Sequence, residues 1–258
     1  MKALIKKVLP PFVTVALQRL MAAYSIKGHY SSWEDATRAS GGYDSQNIFQ
    51  KVREAMWQVR DGHRVAERDS VLLDEIPYSW PVLCTVLRAV EDNKLHVVDF
   101  GGALGCSYYY YRDWLESIDH RWTVIEQEKF VECGNAEFVT DRLKFSRAFA
   151  DVHKVDIILM SSVLQYLENP WEILEQAMAT RCRFICLDRT LFSPSTQERI
   201  AIQKVSSKIY PASYPLRLLT EASVHTFLEP YFDLIAQYDS PESTSGFNCK
   251  GFIYRRKD

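Results

Sequence analysis

HVVDFGGALGCSYYYY, residues 96–111, carries the reading of the fold. His96 to Phe100 is short, apolar and partly β-branched, as a buried strand is, and it ends where the glycines begin. Gly101, Gly102, Ala103, Leu104 and Gly105 make a turn of small residues, and Ser107 is positioned to N-cap a helix beyond it. A strand, a glycine turn and a helix N-terminus together form a place where a ligand can lie against bare backbone. Asp99 stands two residues before Gly101, in the order Asp-x-Gly-x-Ala-x-Gly. A dinucleotide fingerprint aligned on Gly101 would need glycine where the chain has Ala103 and Cys106.

Working outward, the chain continues to alternate strand and helix. Trp122–Ile125 reads as a second strand ending at Glu126, Phe130–Phe138 as a helix and Leu143–Phe145 as a third strand. In a doubly wound sheet, Glu126 would face the glycine turn and could accept the hydroxyl hydrogens of a ribose, with Gln127 beside it. An acid at this offset serves nicotinamide cofactors too, so Glu126 points to an adenosine ligand without choosing among cofactors. Ile157–Met160 is an unbroken apolar run, the pattern of a central strand covered on both faces. Ser161, Ser162, Gln165 and Tyr166 follow at its carboxyl end, and Asn169-Pro170 opens another helix. Phe184–Leu187 is a fifth strand ending in Asp188-Arg189. Residues 200–210 read as helix and 211–220 as a proline-rich aromatic loop holding Tyr210 and Tyr214. Thr220 caps a helix through Leu228, and 232–238 and 250–256 are two closing strands.

Asp99, the glycine turn and Glu126 resemble motif I and its acidic partner in class I S-adenosylmethionine (SAM) methyltransferases. That resemblance implies a doubly wound, Rossmann-like α/β sheet whose last strand inserts antiparallel, with SAM as cofactor. Carried over position by position, it makes Asp99, Gly101, Gly102, Ala103, Gly105, Glu126 and Gln127 cofactor residues, with Asp151 beside the adenine and Ser161-Ser162 beside the methyl group. Ala103 departs from the family's glycine. The segment Ser161–Leu167 resembles motif IV of small-molecule methyltransferases.

A narrower likeness lies upstream, in Gly28-x-Tyr30-x-x-Trp33-Glu34-x-Ala36, Gly42-Tyr43-Asp44 and Glu67-Arg68-Asp69-Ser70. Here the chain is similar to a family of methyltransferases encoded among bacterial surface-polysaccharide genes. It implies a small-molecule acceptor, such as a sugar hydroxyl or amine. Gln165, Tyr166, Arg189, Tyr210, Tyr30 and Trp33 are the candidate acceptor contacts. Asp188, His225 and Tyr214 are the candidate catalytic groups, because an oxygen nucleophile must lose a proton.

Composition bounds these readings. The formal charge of −2 leaves no basic excess for nucleic acid, and 258 residues suffice for one or two domains. Six cysteines without metal-ligand spacing read as reduced core residues of a cytosolic protein, with no metal expected. The expected division is an N-terminal helical cap over 1–91 and the SAM-binding domain over 92–258. Residues 28–73 read as mostly helical, with a helix from Asp44 or Ser45 to Gly62. Residues 72–90 read as a helix interrupted at Trp80-Pro81. Residues 12–24 are too short an apolar run to span a bilayer. They read as a helix packed on the domain, or as a weak contact with a membrane surface or a partner through Lys2, Lys6 and Lys7. Two rival functions remain open at this point: a binding or scaffold protein on a degenerate methyltransferase fold, and an NAD-linked nucleotide-sugar enzyme. The second lacks the dinucleotide glycines and a Tyr-x-x-x-Lys pair.

Overall fold

The computed structural model describes residues 26–41, 45–68, 70–204, 212–240 and 248–258. Strand β1 (Ile26–Tyr30) leads into helices α1 (Trp33–Ala39) and α2 (Ser45–Arg60), then the hairpin β2 (Ala66–Arg68) and β3 (Val71–Leu73) and helix α3 (Trp80–Arg88). The central part runs β4 (Lys94–Phe100), α4 (Cys106–Tyr111), β5 (Asp119–Ile125), α5 (Glu128–Cys133), β6 (Leu143–Ser146), β7 (Ile157–Ser161), α6 (Pro170–Ala179) and β8 (Phe184–Phe192). Strands β9 (Arg199–Lys204) and β10 (Ser213–Leu218), helix α7 (Glu221–Leu228), and strands β11 (Phe232–Asp239) and β12 (Asn248–Arg256) complete it.

Successive strand residues face opposite sides, and here both sides are buried. Val97, Leu159 and Cys186 pack into one apolar layer with α2, α3 and α4. Val98, Ile158 and Ile185 pack into the other with α6 and α7. Seven strands in the order β11-β12-β8-β7-β4-β5-β6 form this sheet. β6, β5, β4, β7 and β8 pair in parallel, and β12 lies antiparallel between β8 and β11. The antiparallel insertion is the one expected from the resemblance. Order reverses at β4, which pairs with β5 on one side and β7 on the other, so the crevice of this sheet opens above β4.

Several local expectations hold for clear reasons. Asn169 accepts from the Glu172 amide at 3.5 Å, with Pro170 at the start of α6. Thr220 and Ser223 form a reciprocal capping box on α7. Others fail. Arg199–Lys204 is a strand, its Ile200 and Ile202 alternating with shorter or polar residues, and 213–218 is a strand rather than a loop. Tyr214 and Pro215 therefore stand in a ladder, and Pro215 is tolerated because β10 is an edge strand. β1, β9 and β10 form a small antiparallel sheet in the order β1-β9-β10, so 28–73 is less helical than expected. Trp80-Pro81 opens α3 instead of interrupting a longer helix, since proline fits the first turn. Gly105, not Ser107, caps α4. Cys84 is exposed and Cys106 half-buried, so not all six cysteines are core residues. Among the described residues no helix is long and apolar enough to cross a membrane. Expectations over residues 1–25, 42–44, Asp69 and 205–211, Tyr210 among them, fall outside the described residues.

Candidate functional site

At the carboxyl end of β4 the chain turns through Gly101 with φ of 75°. A Cβ there would lie 2.5 Å from Val163 Cγ2, and one on Gly102 would lie 2.5 Å from Asp99 Cγ. Both positions therefore need glycine for the turn to close against its neighbours. Ala103 also adopts positive φ, 49°, the one place in the turn where a side chain bears that conformation. Gly105 has φ of 90°, and its absent Cβ makes room for Leu143. It does not border the cavity, so its contribution is packing of α4 on the sheet rather than the ligand contact expected of it.

Asp99 is buried beneath the turn and accepts a hydrogen bond from the Trp122 indole at 3.2 Å. Burial pushes its carboxyl up to about 7, against the opposing pull of Trp122 and Ser107. Glu126 follows β5, half-buried, and its Oε2 accepts from the Gln127 amide at 2.7 Å. Burial raises its pKa, while the Gln127 and Ala103 amides counter that shift. The turn and Glu126 thus meet at one place, where the Ala103 amide is close enough to favour the charged carboxylate.

These groups border a cavity of about 610 Å³ above the crevice of the sheet. Asp99, Gly101, Gly102, Ala103, Glu126 and Gln127 line one end of it. Ser161, Ser162, Tyr166, Asp188, Arg189 and Tyr214 also line it, and so does Trp33. Ser162 has φ of 56°, and its Oγ accepts from Gln165 Nε2 at 3.1 Å. The Tyr166 and Tyr214 rings meet edge to face at 5.3 Å, and Tyr166 donates to Gln203 Oε1 at 3.2 Å. That bond fastens the turn after β7 to the small sheet. Asp188 receives three hydroxyl donors: Ser79 at 3.1 Å and Tyr238 at 2.7 Å on Oδ1, and Ser161 at 2.7 Å on Oδ2. A carboxylate has about four lone-pair sites. With three filled, one remains to meet a ligand in the cavity.

Besides Gly105, four expected site residues stand elsewhere. His225 packs edge-on to Phe252 at 4.6 Å and shares a hydrogen bond with the Tyr254 phenol, in the apolar layer around α7. Burial lowers its pKa, and it does not border the cavity. Asp151 is exposed and accepts from Ser146 Oγ at 2.7 Å. Phe149 takes the inward position instead, stacked on Phe100 at 5.4 Å. The Tyr30 ring folds over Gly28, whose absent Cβ would lie 2.5 Å from it, and so stays with its own strand. Gln165 is buried behind Ser162 and supports the wall without bordering the cavity.

Other lining groups were not anticipated. Tyr110 and Tyr111, from the four-tyrosine run on α4, border the cavity and donate to the backbone oxygens of Glu67 and Ser79. Four consecutive large side chains, all buried on one short helix, were the available signal. Glu67 and Ser79 line the cavity too, brought there by the β2–β3 hairpin and the start of α3. Tyr238 reaches Asp188 only because residue 251 is glycine: a Cβ there would lie 2.0 Å from Tyr238 Cζ.

No protein-family model matches the sequence, and neither does any curated protein at a significant level. Among solved structures, the chain is similar to the Burkholderia thailandensis 1,6-didemethyltoxoflavin-N1-methyltransferase, determined with bound 1,6-didemethyltoxoflavin and S-adenosylhomocysteine. The two share 12% identity over 91% of this chain and 94% of that one, with a TM-score of 0.50. The glycopeptide N-methyltransferase MtfA with SAM shares 13% identity over 67% of this chain and 91% of its own, with a TM-score of 0.49. At such identity the first of these is a likeness of fold: a Rossmann-like methyltransferase sheet.

Proposed function

We propose that the chain is a SAM-dependent methyltransferase acting on a small molecule. The observation that carries this is the pairing of the Gly101–Ala103 turn with Glu126 at one end of a cavity lined by Asp99. The residues fit the cofactor. Side chains are excluded from the turn at Gly101 and Gly102, and a half-buried carboxylate stands where a ribose diol would need an acceptor. The volume falls in the range of about 300–1,000 Å³ usual for small-molecule sites. Asp99, Gly101, Gly102, Ala103, Glu126 and Gln127 would hold SAM, with Ser161 and Ser162 beside its reactive end. When bound, SAM supplies a methyl group on a positively charged sulfur.

The chain's own contribution is placement. Glu126, its carboxylate accepting from the Gln127 amide, would be kept aimed at the ribose. Ser162, braced by Gln165, would fix the wall where donor and acceptor meet. Orientation of this kind is worth up to roughly 7–11 kcal/mol in favourable reactions. Tyr166, Tyr214 and Trp33 suit the apolar face of a sugar ring, which supports a sugar hydroxyl or amine of a surface-polysaccharide precursor as acceptor. The solved structure similar over most of the chain holds S-adenosylhomocysteine together with a small-molecule acceptor, in keeping with this reading. We also retain the division of the chain into a cap over 1–91 and a cofactor domain over 92–258, with β9 and β10 contributing to the cap. Calorimetric titration with S-adenosylhomocysteine tests the proposal. Saturable one-to-one binding is expected, and a folded protein that gives no heat of binding would favour a scaffold on a degenerate fold.

A further inference from the structure

Asp188 is 4% exposed and borders the cavity, yet no cationic side chain among the described residues forms an ion pair with it. A buried carboxylate without a counter-charge is unfavourable unless something else compensates it. Here the compensation is incomplete and comes from far apart. Ser79 precedes α3, Ser161 ends β7, and Tyr238 crosses β12 over Gly251. Three hydroxyl dipoles satisfy three lone pairs, but none of them carries charge. Two other acids of the cavity are held differently: Glu126 accepts from the Gln127 amide and Asp99 from the Trp122 indole. A carboxylate held rigid, bordering a cavity and without an ion-pair partner among the described residues is complementary to a ligand that brings a cation.

We infer that Asp188, held by Ser79, Ser161 and Tyr238, is the recognition site for an ammonium group of a ligand bound in this cavity. An ammonium donates a hydrogen bond to the remaining lone pair and supplies the missing charge, which a neutral hydroxyl does not. The inference rests on the methyl-transfer reading, under which two ligands can carry such a group. One is the cofactor, through the α-ammonium of its amino-acid portion. The other is the acceptor, through an amine. Either source gives Asp188 a part in selection rather than in proton removal.

Calorimetry separates the cases without measuring turnover. S-adenosylhomocysteine, its analogue lacking only the α-amino group, and 5′-methylthioadenosine are each titrated into the wild type and into Asp188→Asn. Glucosamine and glucose are then titrated into both proteins loaded with S-adenosylhomocysteine. If the cofactor is the source, the wild type prefers S-adenosylhomocysteine to its deaminated analogue by about tenfold or more, and Asp188→Asn erases that preference. The affinity for 5′-methylthioadenosine then stays within about threefold. If the acceptor is the source, S-adenosylhomocysteine affinity changes less than about threefold in Asp188→Asn. Glucosamine then binds the wild type about tenfold or more tighter than glucose, and the variant loses this difference. The wild-type comparisons delete the ammonium from the ligand, so they stand even if Asp188→Asn fails to fold. A wild type with neither preference, including one that binds neither sugar, overturns the inference, as does an Asp188→Asn protein that keeps the wild-type preference. If neither S-adenosylhomocysteine nor 5′-methylthioadenosine binds the wild type, the methyl-transfer reading itself falls and takes the inference with it.

Discussion

The two ends of the cavity are built on different plans. At the Glu126 end, the lining comes from β4, its turn and the end of β5, adjacent parallel strands joined by one short helix. At the Asp188 end, Ser79, Ser161, Asp188 and Tyr238 converge from four separate segments, and the small sheet adds Gln203 and Tyr214. The first plan depends on backbone conformation at a few positions, the second on long-range side-chain contacts. Changes to Gly101 or Glu126 should therefore act mainly on ligand affinity, and changes to the hydroxyl partners of Asp188 on stability and coupling.

The largest effect should come from Gly101→Val. Its side chain would collide with Val163 at a φ that disfavours any Cβ, so S-adenosylhomocysteine affinity should fall at least about a hundredfold, roughly 2.7 kcal/mol. Calorimetry on the folded fraction checks it; retained affinity would move the ligand away from the turn. Glu126→Ala should weaken the same ligand by about 1–3 kcal/mol while leaving the melting temperature nearly unchanged. Wild-type affinity in that variant would remove Glu126 from the site.

At the other end, Tyr238→Phe removes a hydroxyl bonded to a buried carboxylate and should lower stability in urea by about 1.5–3 kcal/mol. Gly251→Ala should act through the same bond, because its Cβ needs the space of the Tyr238 ring. The double variant should therefore cost clearly less than the two single losses added together. Additive losses would mean that Gly251 serves some other purpose.

Asp99 supplies a pH test of the first end. Its pKa is raised by burial from 3.8 to about 7, so the native state holds a proton there that the unfolded state releases. The stability from that proton is full below about pH 3.8 and is lost as pH rises through 7. The slope between those limits is up to about −1.4 kcal/mol per pH unit. Denaturation of wild type and Asp99→Asn between pH 5 and 8 should differ by this slope, and parallel curves would contradict it. The smallest effect is Ala103→Gly. Relief of a positive φ should add about 0.5–1 kcal/mol of stability, less the extra entropy of glycine in the unfolded chain.

The same contrast explains what could be read in advance. Asp99, the glycine turn and Glu126 lie close in sequence, and their geometry follows from strand, turn and helix alone. The fold class followed as well, since the apolar runs at 157–160 and 184–187 read as strands of a doubly wound sheet. At the Asp188 end, position in sequence says little about position in space. Tyr238 and Gly251 look unremarkable until strand pairing sets one across the other. Residues 200–204, which read as the start of a helix over 200–210, lie in a strand, because isoleucines two apart fit a strand period as well as part of a helix turn. His225 and Asp151 were chosen by residue type and position, and packing turned both away from the cavity.

The pairing of β1 with β9 also sets an order in time. The Gly41 amide just beyond α1 finds its acceptor, Ser213 Oγ, 172 residues later, and β1 pairs with a strand from the same distant region. A ribosome adding about 5–20 residues per second needs roughly 10–35 s to make the intervening chain. For that interval β1 lacks β9, its partner among the described strands, while the parallel core from β4 to β8 is already out and able to pair. The wall over the Asp188 end is thus finished last, and a chain that stalls before β9 would have the glycine turn and Glu126 without a covered cavity.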